Sequence, residues 1–224
     1  MDEMKRFRAA VVAWAAGGPE AGAAAATAGE LAAAVGLRAV VLVEGASDVA
    51  AIEALALRRS RDLDAEGVAV VPLGGATSIG RFLGLVGPQG LDVPVAGLCD
   101  AGEEGYFRRS LERAGLGADL SRDGMESLGF YVCVADLEQE LIRALGVAGV
   151  EQVVEAQGDL RSFRTFQKQP AQRGRTVEQQ LKRFMGTLSG RKIHYAQALV
   201  DGLDLARVPR PLDRLLAHVH PARL

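Results

Sequence analysis

Short apolar runs alternate with segments of helical periodicity between residues 38 and 134. The apolar runs read AVVLVEG, GVAVVPLGG, VPVAGLCD and LGFYVCV, and the segments between them read DVAAIEALALRR, SIGRFLGLV and EEGYFRRSLERAG. Nearly continuous valine and leucine indicates strands that are buried on both faces, which is typical of a parallel sheet covered by helices. The pattern therefore predicts an α/β fold with a mostly parallel sheet flanked by helices.

Helical patterns without strands occupy both ends of the chain. Residues 1–37 are rich in alanine, and their helical spacing is interrupted by GGPEAG. After residue 136 the helical segments read DLEQELIRALG, VEQVVEAQG, TVEQQLKRFMGTLSG, HYAQALVDGL and PRPLDRLLAHVH. We predict three parts: a helical lead-in at 1–37, the α/β domain at 38–145, and a helical, basic C-terminal region at 146–224.

The composition is that of a globular protein. The 224 residues are 49% hydrophobic, which excludes a disordered chain, and the net charge is −2, so attraction to nucleic acid must come from a local patch. Cys99 and Cys133 lie singly in apolar runs, which argues against a zinc knuckle and predicts buried thiols in a reducing compartment. No signal-peptide pattern or membrane-length apolar run is present, so we expect a cytoplasmic protein outside the membrane.

Acidic residues follow the predicted strands at the points where ligands bind in open parallel sheets. Glu44 follows the first strand, Asp48 comes one helical turn later, and Asp100 follows the third strand. The acids after the fourth strand are Asp136, Glu138 and Glu140. Because crowded carboxylates repel one another, their convergence predicts a divalent cation, Mg²⁺ or Mn²⁺. For Asp48 and Asp136 a helix N-cap is an equally good interpretation.

Three segments resemble the Toprim domain, the metal-binding fold shared by topoisomerases, bacterial primases and some nucleases. They read VVLVEGASDVAAIEALA, GVAVVPLGGATSIGRFLGLV and VPVAGLCDAGEE. The EGxSD start, the PLGG after the second strand and the later DLEQEL are most similar to the Toprim of OLD-type (overcoming lysogenization defect) nucleases. The resemblance covers residues 38–145, with a weaker echo at 190–199.

This resemblance implies roles for the acids. Glu44 corresponds to the glutamate that acts near the reacting phosphate as acid/base or metal ligand, and Asp100 to the first acid of a metal-holding DxD pair. Asp48, Glu138 and Glu140 correspond to further acids of OLD-type members. Two cations about 4 Å apart would then flank an in-line attack on a phosphodiester.

The second acid of the DxD pair is missing, because Gly102 stands at its position. Glu103 or Glu104 could reach the site instead; otherwise one metal is lost, or the site no longer cuts. If the chain is already helical at 103, Glu104 would face the site, and we include Glu104 among the predicted metal ligands. The plain alternative is that both acids simply favour a helix N-terminus.

The GGATS segment after the second strand predicts a phosphate-binding loop. Gly74 and Gly75 would let backbone N–H groups approach a phosphate. A tight turn is the other interpretation. The segment is not a Walker A motif, and GxxxxGK[ST] occurs nowhere in the chain.

A basic stretch between residues 161 and 192 contains Glu178 as its only acid. The predicted nucleic-acid contacts are Arg161, Arg164, Lys168, Arg173, Arg175, Lys182, Arg183 and Arg191. The alternative interpretation of the basic residues is a solvated helix face. Phe163 and Phe166 within the stretch are better interpreted as core anchors than as base-stacking groups. Lys192 resembles a downstream lysine of OLD-type nucleases, which implies a role in stabilising the transition-state phosphate; otherwise it is a surface residue.

Together these patterns predict a divalent-metal-dependent nuclease that hydrolyses phosphodiester bonds in DNA. The alternative is a non-cleaving Toprim module that binds nucleic acid or a nucleotide and works with a partner. OLD-type proteins usually join the Toprim to an ATPase domain, so we expect a stand-alone form that acts with an ATPase in trans or as a homo-oligomer. The sequence does not decide whether the substrate is DNA or RNA, or whether the enzyme acts as an endonuclease or an exonuclease.

Overall fold

A four-stranded parallel sheet forms the centre of the protein, seen in a computed structural model that describes residues 3–187 and 189–220. The strands are β1 (Ala39–Val43), β2 (Val68–Pro72), β3 (Val95–Asp100) and β4 (Phe130–Cys133). Their spatial order is β2-β1-β3-β4, and every pairing is parallel. The predicted α/β fold class is therefore confirmed.

Eleven α-helices surround the sheet within these described ranges. Those up to β4 are α1 (Glu3–Ala16), α2 (Ala21–Ala34), α3 (Ala46–Arg58), α4 (Ile79–Val86), α5 (Glu104–Arg113) and α6 (Arg122–Ser127). Those after β4 are α7 (Leu137–Ala156), α8 (Leu160–Gln167), α9 (Val177–Met185), α10 (Ser189–Asp201) and α11 (Arg210–His218). Helix α6 was not predicted; Ser121 caps it by accepting a hydrogen bond from the Gly124 N–H, at 3.1 Å.

Both faces of the sheet are buried, as the apolar runs predicted. All five residues of β1 are buried. Val41 and Val43 join a hydrophobic cluster with α3, α7 and α10, whereas Val40 and Leu42 join a second cluster with α1, α4 and α5. Each such side chain contributes about 1.5–3 kcal/mol when it leaves water, so this strand anchors both halves of the core.

The C-terminal helices pack directly on the α/β part. Leu199 of α10 and Leu215 of α11 lie in the same hydrophobic cluster as Ile52 of α3. This packing holds the first turns of α10 next to α3. Helix α7 carries a non-helical residue, Gly146 (φ 69°), where the predicted α/β domain ends; the boundaries at 37 and 145 remain predictions.

Cys99 and Cys133 are buried and free, as predicted. Burial raises the pKa of the Cys99 thiol to about 12, and nearby acids add to the shift, so this thiol is neutral and unreactive at pH 7. In the described part of the chain, no helix combines the length and the apolar character needed to cross a membrane.

Candidate metal centre

A cavity of about 320 Å³ lies beyond the carboxyl ends of the strands. Because β1 and β3 are neighbours in the sheet, the residues that follow them meet at one edge. The charged residues that line the cavity are Glu44, Asp48, Asp100, Asp136, Glu138 and Lys192. Five acids from three separate parts of the chain thus converge on one space, together with one lysine.

Asp48 is the third residue of α3 and faces this cavity. Its Oδ2 accepts a hydrogen bond from the Gly45 N–H at 2.9 Å, and Gly45 is the N-cap residue. The N-cap interpretation of Asp48 was therefore wrong. Burial raises the pKa of Asp48 to about 6; Glu44 and Asp136 add to the shift, whereas the Gly45 N–H and Lys192 oppose it.

Asp136 is the N-cap of α7, which confirms that interpretation. Its Oδ1 accepts a hydrogen bond from the Gln139 N–H at 2.7 Å, and its Oδ2 forms an ion pair with Lys182. Lys182 was predicted to contact nucleic acid, but in the structure it faces this acid. Asp136 therefore lines the cavity with its charge already partly compensated.

Glu138 lies in the first turn of α7 and lines the same cavity. Burial raises its pKa to about 7, Lys192 and Lys182 oppose the shift, and Asp136 and Asp48 add to it. Among the described residues neither lysine forms an ion pair with Glu138, so the effect of burial on its pKa exceeds that of the lysines.

Glu140 does not line the cavity, although it was predicted as a metal ligand. Its side chain is buried, its Oε1 accepts a hydrogen bond from the Val134 N–H at 2.9 Å, and its Oε2 contacts Arg143 Nη1 at 3.0 Å. Oε1 thus joins the end of β4 to α7, and Oε2 is engaged in an ion pair within α7.

Asp100 ends β3 and faces Glu44 across the edge of the sheet. Burial raises its pKa to about 7, and the charges of Glu44, Asp136, Asp48 and Glu103 add to the shift in that order. The four charges with the largest effect on this carboxyl are thus all negative. Such a site favours either a proton or a cation.

Glu103 and Glu104 point to different places. Glu104 forms an ion pair with Arg122, outside the cavity lining. Burial, together with the neighbouring carboxyl groups of Glu44 and Asp48, raises the pKa of Glu103 to about 7. The structure thus brings Glu103 to the strand-end acids, where the sequence favoured Glu104.

The Gly74–Gly75 loop follows β2 and lines the cavity, as predicted. The Gly74 N–H donates to the Glu44 carbonyl oxygen at 3.1 Å, which fixes the loop against the end of β1. Both residues have positive φ angles, 68° and 130°, which favour glycine, and no atom lies within 4 Å of where a Cβ would be. Ser47, which was not predicted, also lines the cavity and belongs to the EGxSD segment.

Lys192 reaches the cavity because α10 packs along α3. It comes from the second turn of α10, and its positive charge opposes the raised pKa of both Asp48 and Glu138. Among the described residues it is the one cation that lines the cavity. Its role beside a reacting phosphate stays a prediction.

The predicted nucleic-acid contacts divide into two groups. Arg164 contacts Glu151 at 2.9 Å, and Arg191 lies 3.6 Å from Asp159. Arg175 donates to the Ala171 carbonyl oxygen at 3.1 Å. Of the predicted contacts, those exposed and without an ion pair among the described residues are Arg161, Lys168, Arg173, Arg175 and Arg183.

The two phenylalanines of the basic stretch are core anchors, as interpreted. Phe163 is fully buried, and both Phe163 and Phe166 pack against Phe184, with ring centroids 5.3 and 5.6 Å apart. The basic stretch is therefore attached to the core by its aromatic residues, and its unpaired cations face solvent.

The sequence of the α/β part matches a known family. Residues 37–101 match a model of the family described as "Overcoming lysogenization defect protein-like, TOPRIM domain". This segment of the chain is therefore similar to an OLD-like Toprim domain. The matched segment includes Glu44, Asp48 and Asp100 and ends just before Gly102.

Solved structures of two OLD proteins are similar to the whole arrangement. The C-terminal region of the Burkholderia pseudomallei OLD protein is 23% identical, with a TM-score of 0.61; 84% of this chain and 99% of that chain are covered. The C-terminal region of the Xanthomonas campestris pv. campestris OLD protein is 26% identical, with a TM-score of 0.60; 84% and 96% are covered. A search of curated proteins found no match. The resemblance to an OLD-type Toprim is confirmed.

Toprim domains generally bind divalent metal ions. The residues that line the cavity can therefore be compared with the ligands that such an ion prefers. Among the described residues, no group of three or more His, Cys, Asp or Glu side chains is arranged so that it could hold a metal ion. The donors that converge are all carboxylates, which suit Mg²⁺ or Mn²⁺. In addition, Oε2 of Glu103 is buried without any hydrogen-bond partner. The donor chemistry and this unpartnered oxygen fit a divalent cation.

Proposed function

We propose that this protein is a divalent-metal-dependent nuclease that hydrolyses phosphodiester bonds in DNA. The observation that carries the proposal is the convergence of Glu44, Asp48, Asp100 and Glu138 with Lys192 around one cavity of the OLD-like Toprim domain. Crowded carboxylates repel one another and destabilise the fold locally. A site that contains them nevertheless indicates that they bind a ligand.

The roles of the residues follow from their positions. Glu44, Asp48, Asp100 and Glu138 would hold the cation, which supplies Lewis-acid polarisation of a phosphate oxygen when it is bound. Glu44 would accept a proton from the attacking water. Lys192 balances the negative charge that develops on the phosphate.

The loop after β2 would admit the substrate. Side chains are absent at Gly74 and Gly75, so a phosphate can approach the backbone there without steric conflict. The exposed, unpaired cations Arg161, Lys168, Arg173 and Arg183 would contact the nucleic-acid backbone. Since OLD-type proteins usually carry an ATPase domain, we further propose that an ATPase acts with this chain in trans.

The test is cleavage of supercoiled plasmid and of labelled single strands of DNA and of RNA, with Mg²⁺, Mn²⁺ or EDTA. We expect cutting of DNA that requires the metal and is lost in Glu44→Gln. The matched control is Glu30→Gln, which removes an exposed acid on α2 and should cut at the wild-type rate. Without a Walker A motif, the isolated chain should be indifferent to ATP.

Binding that persists in EDTA, falls steeply with salt and leads to no cutting would refute the nuclease. It would instead support a non-cleaving nucleic-acid-binding module. Cleavage of RNA but not of DNA would support metal-dependent phosphodiester hydrolysis and show that the substrate is RNA.

A further inference from the structure

A second cavity lies among the C-terminal helices α8, α9 and α10, and its volume is about 380 Å³. We call it the arginine pocket. Two arginines, two phenylalanines, three hydroxyl residues and one glutamine line it. Among the described residues no Asp or Glu belongs to this lining, whereas acids dominate the cavity at the ends of the strands. The arginine pocket therefore favours a ligand with negative charge.

The guanidinium group of Arg191, one of the two arginines, is held in place by three neighbours. Its Cζ lies 4.5 Å from the centre of the Phe184 ring, and Nη1 donates to Thr187 Oγ1 at 3.4 Å. Nη2 lies 3.6 Å from an oxygen of Asp159. That distance exceeds the ~2.7–2.9 Å of a charge-assisted hydrogen bond, so Asp159 compensates the charge only in part. A guanidinium that is already oriented loses less entropy when it binds a phosphate.

Arg161 supplies the second positive charge of the arginine pocket. It lies in the first turn of α8, is exposed, and forms no ion pair within the described ranges. Arg164, one turn later, is paired with Glu151 and does not line the pocket. Arg161 and Arg191 thus present two guanidinium groups from different helices to one space. Each offers a planar set of N–H donors, which suits a phosphate.

Phe166 adds an apolar wall to this charged space. Its ring packs against Phe184 with the centroids 5.6 Å apart. Phe184 is only 3% exposed, whereas Phe166 is partly exposed, so the ring of Phe166 anchors α8 and still contributes surface to the pocket. A phosphate alone needs no apolar wall. A nucleotide has a phosphate for the arginines and a base that packs on an aromatic ring.

The start of α10 separates the arginine pocket from the acidic cavity. Arg191 lines the arginine pocket, and the next residue, Lys192, lines the acidic cavity. A helix with its side chains is ~10–12 Å wide, so the two side chains serve points about one helix width apart. A few nucleotides of one strand can span that distance across the first turns of α10.

We propose that the arginine pocket binds one nucleotide of a single-stranded nucleic acid whose scissile phosphate lies in the acidic cavity. Arg161 and Arg191 contact the phosphate of that nucleotide, and Phe166 packs against its base. The proposal rests on the proposed nuclease function and makes its substrate single-stranded. In a duplex the bases are stacked and paired, so a duplex offers the pocket its phosphates but no free base.

The experiment is a titration of labelled oligothymidylate with the full chain in EDTA, followed by fluorescence anisotropy. The oligonucleotide is used alone and paired with its complement, at several salt concentrations. EDTA prevents metal-dependent cutting, so binding is measured by itself. The variants are Arg161→Gln, Arg191→Lys and Phe166→Leu. The matched control is Arg6→Gln, which changes an exposed arginine of α1 outside the pocket.

Each variant should weaken single-strand binding in its own way. Arg161→Gln should weaken it several-fold and reduce the slope of log Kd against log salt concentration by about 0.7, because one phosphate contact is lost. Arg191→Lys keeps the charge but not the planar fork, so affinity should fall with an unchanged slope. Phe166→Leu should weaken single-strand binding about tenfold and leave duplex binding unchanged. Arg6→Gln should bind like the wild type.

Three outcomes would overturn the proposal: wild-type single-strand affinity in Arg161→Gln, equal losses for single strand and duplex in Phe166→Leu, or the same loss in Arg6→Gln. Melting temperatures show whether each variant is folded. If Phe166→Leu unfolds, the exposed Arg161 still provides the test. Thymidine monophosphate should displace the labelled strand at concentrations where inorganic phosphate does not. Equal displacement by both would show a simple anion site and would also overturn the proposal.

The outcomes distinguish this proposal from the nuclease function. A chain that binds single strands through the arginine pocket but cuts no nucleic acid with Mg²⁺ or Mn²⁺ refutes the function and supports the binding site. A chain that cuts, with wild-type single-strand affinity in both Arg161→Gln and Phe166→Leu, supports the function and refutes the binding site.

Discussion

Charged groups lie at both ends of helix α3. At one end they have partners of opposite polarity, and at the other end most of them do not. At its N-terminal end lies the acidic edge, which we define as Glu44, Asp48, Asp100, Glu103 and Glu138. At its C-terminal end lies the arginine clamp, which we define as Arg58, Arg59 and Arg61. The acidic edge faces a cavity, whereas the clamp joins α3 to the C-terminal helices.

Every arginine of the clamp has fixed acceptors. Arg58 Nη1 donates to the carbonyl oxygens of Val200 and Leu203 at 2.7 and 2.6 Å. Arg61 donates to the carbonyl oxygens of Leu216 and Val219 at 2.6 and 3.0 Å. The planar guanidinium group suits such multiple acceptors, and cations are also favoured near a helix C-terminus.

The acidic edge lacks this compensation. The charges with the largest effect on Asp100 are all negative, and one buried oxygen of Glu103 has no hydrogen-bond partner. The comparison teaches that the clamp stabilises the fold, whereas the edge retains unfavourable charge for a ligand. Substitutions at the two ends of α3 should therefore have opposite consequences.

The largest effect is expected for Asp100→Asn. Cleavage should fall by roughly 10³-fold or more, because a group that binds the reacting centre is lost. The metal-free protein should nevertheless be at least as stable as the wild type, because repulsion is removed. Plasmid cleavage and urea unfolding in EDTA measure the two quantities. Loss of stability together with activity would show that Asp100 is a structural residue.

Next in size is Arg61→Ala, which breaks the clamp. The Arg61 side chain is only 11% exposed, and it also pairs with Glu66 at 2.6 Å. Its removal leaves a partly buried acid and two carbonyl oxygens without donors, so the free energy of unfolding should fall by about 2–4 kcal/mol. Urea unfolding measures this change.

The control for the clamp is Arg207→Ala, an exposed residue whose loss should cost less than about 0.5 kcal/mol. Mn²⁺ affinity of folded Arg61→Ala should match that of the wild type. A reduced affinity would show that the clamp also positions the acidic edge.

A change of pH is expected to have a smaller effect on the free energy of unfolding, and this effect should come from the acidic edge alone. The folded pKa values of Asp100 and Glu138 are raised to about 7, above their usual value of roughly 4 in an unfolded chain. Between these values the folded state binds more protons, so the stability of metal-free protein should fall as the pH rises from 5 to 8. Urea unfolding at both pH values measures the slope, which Asp100→Asn should reduce. An identical slope in that variant would contradict this account.

The smallest effect is expected for Arg59→Ala, within the clamp itself. Arg59 pairs with Asp213 at 2.6 Å, but the Asp213 side chain is 45% exposed. Solvent screens such a pair, so its loss should cost less than about 1 kcal/mol. A cost as large as that of Arg61→Ala, measured by the same unfolding experiment, would show that exposure does not set the strength of the clamp.

Local patterns were enough to predict much of the fold and part of the site. The apolar runs predicted strands buried on both faces, since a parallel sheet leaves no other place for such residues. The positions of Glu44 and Asp100 at the ends of strands followed from chain order. That β1 and β3 are neighbours in the sheet was shown only by the structure. The helix cap at Asp136 followed from residue type alone.

Side-chain direction was decided only by the tertiary structure. Whether Glu103 or Glu104 faces the edge depends on where α5 begins and on Arg122, which comes from another helix. Glu140 lies outside the site because its Oε1 accepts a hydrogen bond from the Val134 N–H. The packing of α9 places Lys182 against Asp136, and the packing of α10 places Lys192 in the cavity lining. The sequence by itself determined which residues end the strands, because periodicity is a local property. Only the assembled fold decided which charges remain without a partner, because that depends on neighbours distant along the chain.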